Sequence, residues 1–171
     1  IGNMGATGMQ SSFFEDMVAE VLALTGEDSS VKVRRVLRNS CMLSSDVSAA
    51  YDPLYPEVFE KKNTAYFGRG LVLNKYTGSR GKNGTSDANA EYVAKVRNVF
   101  DNNHVAFQTA ELGKVDQGGG GTIAYVMANK AMSVIDSGVA VLSMHAPYEV
   151  TSKSDIYEVY RGYKAFLKDM K

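Results

Sequence analysis

Two residues are placed where they could bind a metal. His145 follows the most apolar run of the chain, residues 139–144, and precedes Ala146-Pro147-Tyr148-Glu149. An imidazole at a strand tip is a good neutral nitrogen donor, because the sheet holds the ring in one orientation. The same position also suits a core histidine whose ring is satisfied by hydrogen bonds. Asp46 lies behind Ser44 and Ser45 at the end of a second apolar run, Cys41-Met42-Leu43. A carboxylate there can bind a cation or cap a turn. His104, the other histidine, follows Asp101-Asn102-Asn103 and reads as a solvated turn residue.

Other chemistries are poorly provided for. Residues 116–122 read Asp-Gln-Gly-Gly-Gly-Gly-Thr, a glycine-rich turn with Asp116 as a turn-former. Glycines before a helix can bind phosphate through backbone N–H groups. No lysine follows them, however, so this is not a P-loop, and the match to G-x-G-x-x-G is weak. A nucleotide-binding α/β module is therefore the outlying reading. Close approach of a ligand or of another backbone explains the glycines better. There is no nucleophile elbow. Cys41 sits within an apolar strand, which suits an inert thiol, and the basic stretch at 32–38 reads as a solvated face.

The elements that must position these residues follow from periodicity. Phe14, Met17, Val18, Val21 and Leu22 make an amphipathic helix, with Ser12 and Glu15 as a capping box and Gly26 as its stop. Residues 31–38 predict a short helix, 41–43 a buried strand, 51–67 a loop, 70–76 a strand and 77–86 a surface loop. A helix capped by Asp87 carries Tyr92, Val93, Val96, Val99 and Phe100 on one face. A strand follows at 105–109, a helix at 122–131 and a central strand at 139–144. The last helix, capped by Ser154, aligns Ile156, Val159, Tyr160, Tyr163 and Leu167. Alternating strands and helices imply an α/β fold with a largely parallel, buried sheet. Such sheets place ligands at the polar tips of their central strands.

Composition sets the outer limits. The 171 residues are 44% hydrophobic and 22% charged, enough to build a core. Lys+Arg and Asp+Glu balance at 19 each, which removes the electrostatic case for nucleic acid or an anionic membrane. One cysteine allows no internal disulfide and fits a reducing, cytoplasmic setting. No apolar run is long enough to span a membrane. The start at Ile1, with Gly2, Gly5 and Gly8 close behind, reads as a cut from a longer polypeptide.

Several segments in register resemble the aspartyl aminopeptidase/aminopeptidase I family of di-zinc aminopeptidases. The opening Ile1-Gly2-Asn3-Met4-Gly5-Ala6-Thr7-Gly8 is similar to the segment after that family's Glu-Glu pair. Ser44-Ser45-Asp46 resembles its Ser-x-Asp ligand motif, and residues 116–123 resemble its Asp-x-Gly-x-Gly-x-Thr-Ile loop. Asp136-Ser137-Gly138 followed by Leu142-Ser143-Met144-His145 resembles its closing metal-histidine motif. Each motif alone is weak, but their order and spacing agree over nearly the whole chain.

The resemblance implies a three-layer α/β sandwich with a mostly parallel mixed sheet, zinc-exopeptidase-like, lacking the N-terminal part of its domain. Residues 1–171 would then be the C-terminal portion of a single metallopeptidase catalytic domain. It implies two zinc ions per site, with cobalt or manganese as substitutes, and Asp46 and His145 as ligands. The chemistry implied is metal-assisted hydrolysis of the first peptide bond of peptide substrates. The general-base glutamate, the first histidine and the bridging aspartate would lie upstream of Ile1, so the segment alone should be inactive. Gly120 and Thr122 are expected at the substrate pocket, with Lys75 within reach of it. Members that prefer acidic N-terminal residues carry a histidine where this chain has Ala49, which points to neutral or apolar N-terminal residues. Gly119 stands in place of the usual loop cysteine. The family implies a homo-oligomer as large as a dodecamer. The missing ligands leave a non-catalytic scaffold subunit as the alternative.

Overall fold

The computed structural model describes residues 4–79, 83–114, 116, 117 and 119–170. Two helices open the chain, α1 (Phe13–Leu24) and α2 (Ser30–Arg38). Gly26, at φ +79°, ends α1 as expected, with its N–H on Ala23 O and that of Glu27 on Leu22 O. Ser12 holds the N-cap position of α1 but makes no side-chain cap bond.

The strands are β1 (Cys41–Ser45), β2 (Ser48–Ala49), β3 (Leu71–Asn74), β4 (Tyr76–Ser79), β5 (Asn83–Asp87), β6 (Phe107–Ala110), β7 (Ser133–Gly138), β8 (Ala140–Leu142) and β9 (Val150–Thr151). Three further helices are α3 (Ala90–Asn102), α4 (Ala124–Ala128) and α5 (Lys153–Asp169). The main sheet has the order β1-β7-β3-β6. β1 is parallel to β7 and β3 to β6, while β3 and β7 run antiparallel. A smaller sheet, β2-β8-β9, adjoins it in sequence.

Side chains alternate across the main sheet, which makes a layer on each face. Cys41 and Leu43 of β1, Ile135 of β7, and Leu71 and Leu73 of β3 face α3 and α5, where Val96, Phe100 and Ala165 are buried. Met42 and Val134 face the other way, onto α4, α1 and α2. Val72 meets Ala50, Ala110 and Ala140 in a third cluster. Burial of each large apolar side chain stabilises the fold by about 1.5–3 kcal/mol, before chain entropy is charged against it. The three-layer, mostly parallel mixed sheet is therefore as expected.

Some details differ from the sequence reading. The main-sheet strand is β7, not residues 139–144; that run supplies the three-residue β8 of the small sheet. Its polar residues hid β7, since Asp136, Ser137 and Gly138 look like a turn until their partners are known. Residues 77–79 and 83–86, read as loop, belong to the antiparallel β4–β5 hairpin, and 80–82 lie outside the described residues. α3 is capped by Asn89, whose side chain accepts from Tyr92 N, and not by Asp87. α5 is capped by Ser152, which accepts from Asp155 N, and not by Ser154. α4 is shorter than the expected 122–131, and Ala131 has already turned to φ +65°.

Candidate metal centre

Asp46 sits where the main sheet ends. Its N–H donates to Ser137 O at 3.2 Å, extending the parallel ladder one step beyond β1. The chain then continues as β2, with Ser48 N on Val139 O at 2.9 Å and Ala50 N on Val141 O at 2.8 Å. Gly138 makes the crossing possible. A Cβ built there would lie 1.7 Å from Asp46 O and 2.7 Å from Asp46 C, so only glycine fits. The Asp46 side chain is exposed, and Oδ1 accepts from Val47 N at 2.8 Å. That bond fixes one carboxylate oxygen. Among the described residues no hydrogen bond engages Oδ2, which leaves it for a ligand.

The floor behind Asp46 is polar and anchored. The Tyr163 phenol of α5 donates to Ser137 O at 2.6 Å and meets Ser45 Oγ at 2.9 Å. Its one proton lies on the carbonyl oxygen, so the serine hydroxyl donates to the phenol oxygen. Burial raises the Tyr163 phenol above its usual range, and the carboxylates of Asp46 and Asp136 add to this, against the lowering by its hydrogen bonds. The phenol therefore stays protonated at neutral pH. The Ser44 and Ser137 hydroxyls are buried without a hydrogen-bond partner among the described residues.

His145 is not on a strand tip. It lies three residues beyond β8, in an exposed turn. Both Ser143 and His145 take left-handed backbone, at φ +57° and +69°. The turn is tied by Ala146 N on Ser143 O at 2.9 Å and by His145 N on Glu149 Oε1 at 2.5 Å. Left-handed backbone at two non-glycine residues costs energy that the surroundings must supply. Both imidazole nitrogens are uncommitted among the described residues.

The glycine-rich loop is fastened to the same strand that supports Asp46. Thr122 Oγ1 donates to Asp136 Oδ2 at 2.9 Å and accepts from Ala124 N at 3.2 Å, opening α4. Asp136 is buried in β7, so its carboxylate anchors the loop from inside the sheet. Gly120 packs near Leu112, with 3.1 Å available to a Cβ, and Gly119 is at φ +103°. Lys75 is paired: its Nζ lies 2.5 Å from Asp87 Oδ1 and 3.0 Å from Tyr76 OH. His104, at φ +51°, is an exposed turn residue, as read from sequence.

An exposed carboxylate and an exposed imidazole, each with a free donor atom, fit the oxygen and nitrogen donor set of zinc. Among the described residues no group of three or more His, Cys, Asp and Glu gathers to hold an ion. A structural or catalytic zinc takes at least three protein ligands, and neither Asp46 nor His145 lies in such a group among the described residues. No described helix is long and apolar enough to cross a membrane. Sequence reasoning missed Asp136 and Tyr163 as supports. The only signal for Asp136 was a carboxylate in a strand that is otherwise buried, and for Tyr163 a phenol on the apolar stripe of α5.

Comparison with known proteins gives one answer. The family description "Aminopeptidase I zinc metalloprotease (M18)" matches residues 1–167. A probable M18 family aminopeptidase 1 of Clostridium acetobutylicum is 61% identical over 99% of this chain and 36% of its own length. Its counterpart in Thermotoga maritima is 44% identical over 99% of this chain and 38% of its own length. The crystal structure of the Thermotoga maritima enzyme superposes with a TM-score of 0.93 over 98% of this chain and 37% of that one, at 45% identity. The Saccharomyces cerevisiae mApe1 dodecamer, 21% identical, shares the fold with a TM-score of 0.72 over 99% of this chain and 36% of that one. The chain thus spans little more than a third of the length of these relatives. Matched over nearly its whole length by one family description and by relatives of high identity, the chain belongs to the M18 family of aminopeptidase I zinc metalloproteases.

Proposed function

We propose that the polypeptide carrying this segment is a zinc aminopeptidase that removes N-terminal residues from peptides. The family match over residues 1–167 carries this reading. The site is proposed to hold two zinc ions, with Asp46 on one and His145 on the other. Cobalt and manganese suit the same donors. Bound there, the metals would polarise the scissile carbonyl and lower the pKa of water. The remaining ligands and the general-base glutamate are proposed to lie upstream of Ile1, in the rest of the same catalytic domain.

The segment's own contribution is positional. Asp46 is held at the end of β1 by its backbone and by Val47, so its carboxylate presents one defined face. His145 is presented by a turn that Glu149 closes. The loop at 116–122, anchored through Thr122 to Asp136, is proposed as a wall of the substrate pocket, with Gly120 and Thr122 offering backbone hydrogen bonds. Lys75 would join only by giving up its ion pair with Asp87. Ala49 on β2 offers no cationic or imidazole partner to an acidic side chain, so neutral or apolar N-terminal residues are proposed. A homo-oligomer as large as a dodecamer and a cytoplasmic setting complete the proposal.

The test uses the full-length polypeptide and aminoacyl chromogenic substrates. Chelation, Asp46→Ala and His145→Ala should each abolish hydrolysis. Activity that persists through all of these treatments would overturn the reading. The 171-residue segment alone should be inactive.

A further inference from the structure

We propose that Tyr163 is a positioning residue for the Asp46 carboxylate, acting from α5 through the Ser137 carbonyl. The inference rests on the reading of Asp46 as a metal ligand. One oxygen, Ser137 O, receives both the Tyr163 phenol at 2.6 Å and the Asp46 N–H at 3.2 Å. A second contact, 2.9 Å between Tyr163 OH and Ser45 Oγ, holds the residue immediately before Asp46. The phenol therefore grips both strands at the level where they leave the main sheet. The Asp46 backbone is also packed closely against Gly138.

The grip is stiff because α5 is stiff. Tyr163 is central in a 17-residue helix, and its neighbour Gly162 lets that helix approach the sheet closely. A Cβ at Gly162 would lie 2.7 Å from Leu71 Cδ1 and 3.5 Å from the Phe100 ring. A larger residue there would press on the buried Leu71 side chain beneath α5. Hydrogen bonds to groups behind a metal ligand orient it, and their loss commonly weakens metal binding about 10- to 100-fold. The Tyr163 contacts act in the same way, through the peptide group next to the ligand.

The experiment measures zinc affinity of the full-length polypeptide by competition with a chromophoric chelator, with melting of the metal-free form alongside. Tyr163→Phe keeps the ring and removes the hydroxyl. It should weaken one zinc site by about 10-fold or more while the metal-free melting temperature changes little. Cobalt loaded at that site should show a shifted visible absorption band. Tyr92→Phe is the control: Tyr92 OH donates to Met42 O, on the same strand but at the end away from Asp46, and its loss should leave zinc affinity unchanged. Ser45→Ala, which removes the other partner, should produce a smaller loss and stands in if Tyr163→Phe does not fold.

Wild-type affinity in Tyr163→Phe and Ser45→Ala, with zinc lost in Asp46→Ala, would overturn the positioning role and leave the ligand reading intact. Equal losses in Tyr163→Phe and Tyr92→Phe would reduce the effect to general stability and overturn it too. Wild-type affinity in Asp46→Ala would remove the ligand reading and the positioning role with it.

Discussion

Gly138→Ala is the sharpest test of how the segment holds Asp46. The added methyl would sit 1.7 Å from Asp46 O and 2.7 Å from Asp46 C. Ordinary carbon contacts begin near 3.5 Å, so the two strands must separate by roughly 1.8 Å. The obstacle is backbone, and no rotamer change relieves it. The hydrogen bonds that flank the crossing, Asp46 N to Ser137 O and Ser48 N to Val139 O, would lengthen together. Overpacking costs about 1–3 kcal/mol and each weakened bond up to about 1 kcal/mol, which puts the loss near 3 kcal/mol. Denaturant unfolding of the metal-free full-length polypeptide measures it. Gly121→Ala is the control, because nothing lies within 4 Å of a Cβ there and its backbone is not left-handed. It should stay within about 1 kcal/mol of wild type. The crossing would not be tight if Gly138→Ala unfolded within about 0.5 kcal/mol of wild type and bound zinc as well.

Other perturbations read other parts of the same framework. Asp155, 1% exposed, accepts the Gly68 and Gly70 N–H groups at 2.8 Å each, so Asp155→Ala orphans two donors and should cost about 3 kcal/mol in the same unfolding assay. Thr122→Val should cost about 1–3 kcal/mol, and hydrogen exchange at 119–124 should quicken, whereas Thr122→Ser should preserve both. Burial raises the phenols of Tyr92 and Tyr163 above the unfolded value near 10. The folded state thus favours the protonated form, and this stability is complete below about pH 10 and is lost as pH climbs above it. An unfolding series in alkali should show a shallower decline above pH 10 for Tyr92→Phe than for wild type, at the cost of its bond to Met42 O.

Local pattern carried much of this fold. The stripe of Tyr92, Val96, Val99 and Phe100 is buried in α3, and Gly26 ends α1, because both depend on spacing along the chain alone. β7 depends on partners far away. Asp136 is tolerable inside a sheet because Thr122, 14 residues earlier, donates to it. The Ser137 carbonyl is satisfied by Tyr163, 26 residues later. No window of sequence contains those pairings, so the periodicity gave no strand there. The β4–β5 hairpin was hidden for a different reason. Its Gly, Ser, Thr and Asn residues carry no apolar alternation, so the antiparallel pairing of the two strands left no periodic signal. In the candidate site, residue types and strand ends drew attention to Asp46 and His145. The left-handed turn that presents His145 left no mark in the composition around it.

The geometry also explains why both candidate ligands come from one pair of strands. The parallel ladder does not stop at the main sheet. It runs from Ser45 opposite Ser137 through Asp46 N on Ser137 O to Ala49 opposite Val141. Both chains leave the main sheet together, at Asp46 and at Gly138, and continue as β2 and β8. Asp46 sits at the point of departure, and His145 hangs from the far end of β8. Their relative placement is therefore set by register between two parallel strands. A slip of one residue would turn the Asp46 side chain to the opposite face and bring a Cβ, in place of Gly138, against the crossing. The glycine, admitting one alignment only, acts as the register key for the strand pair that carries both candidate residues.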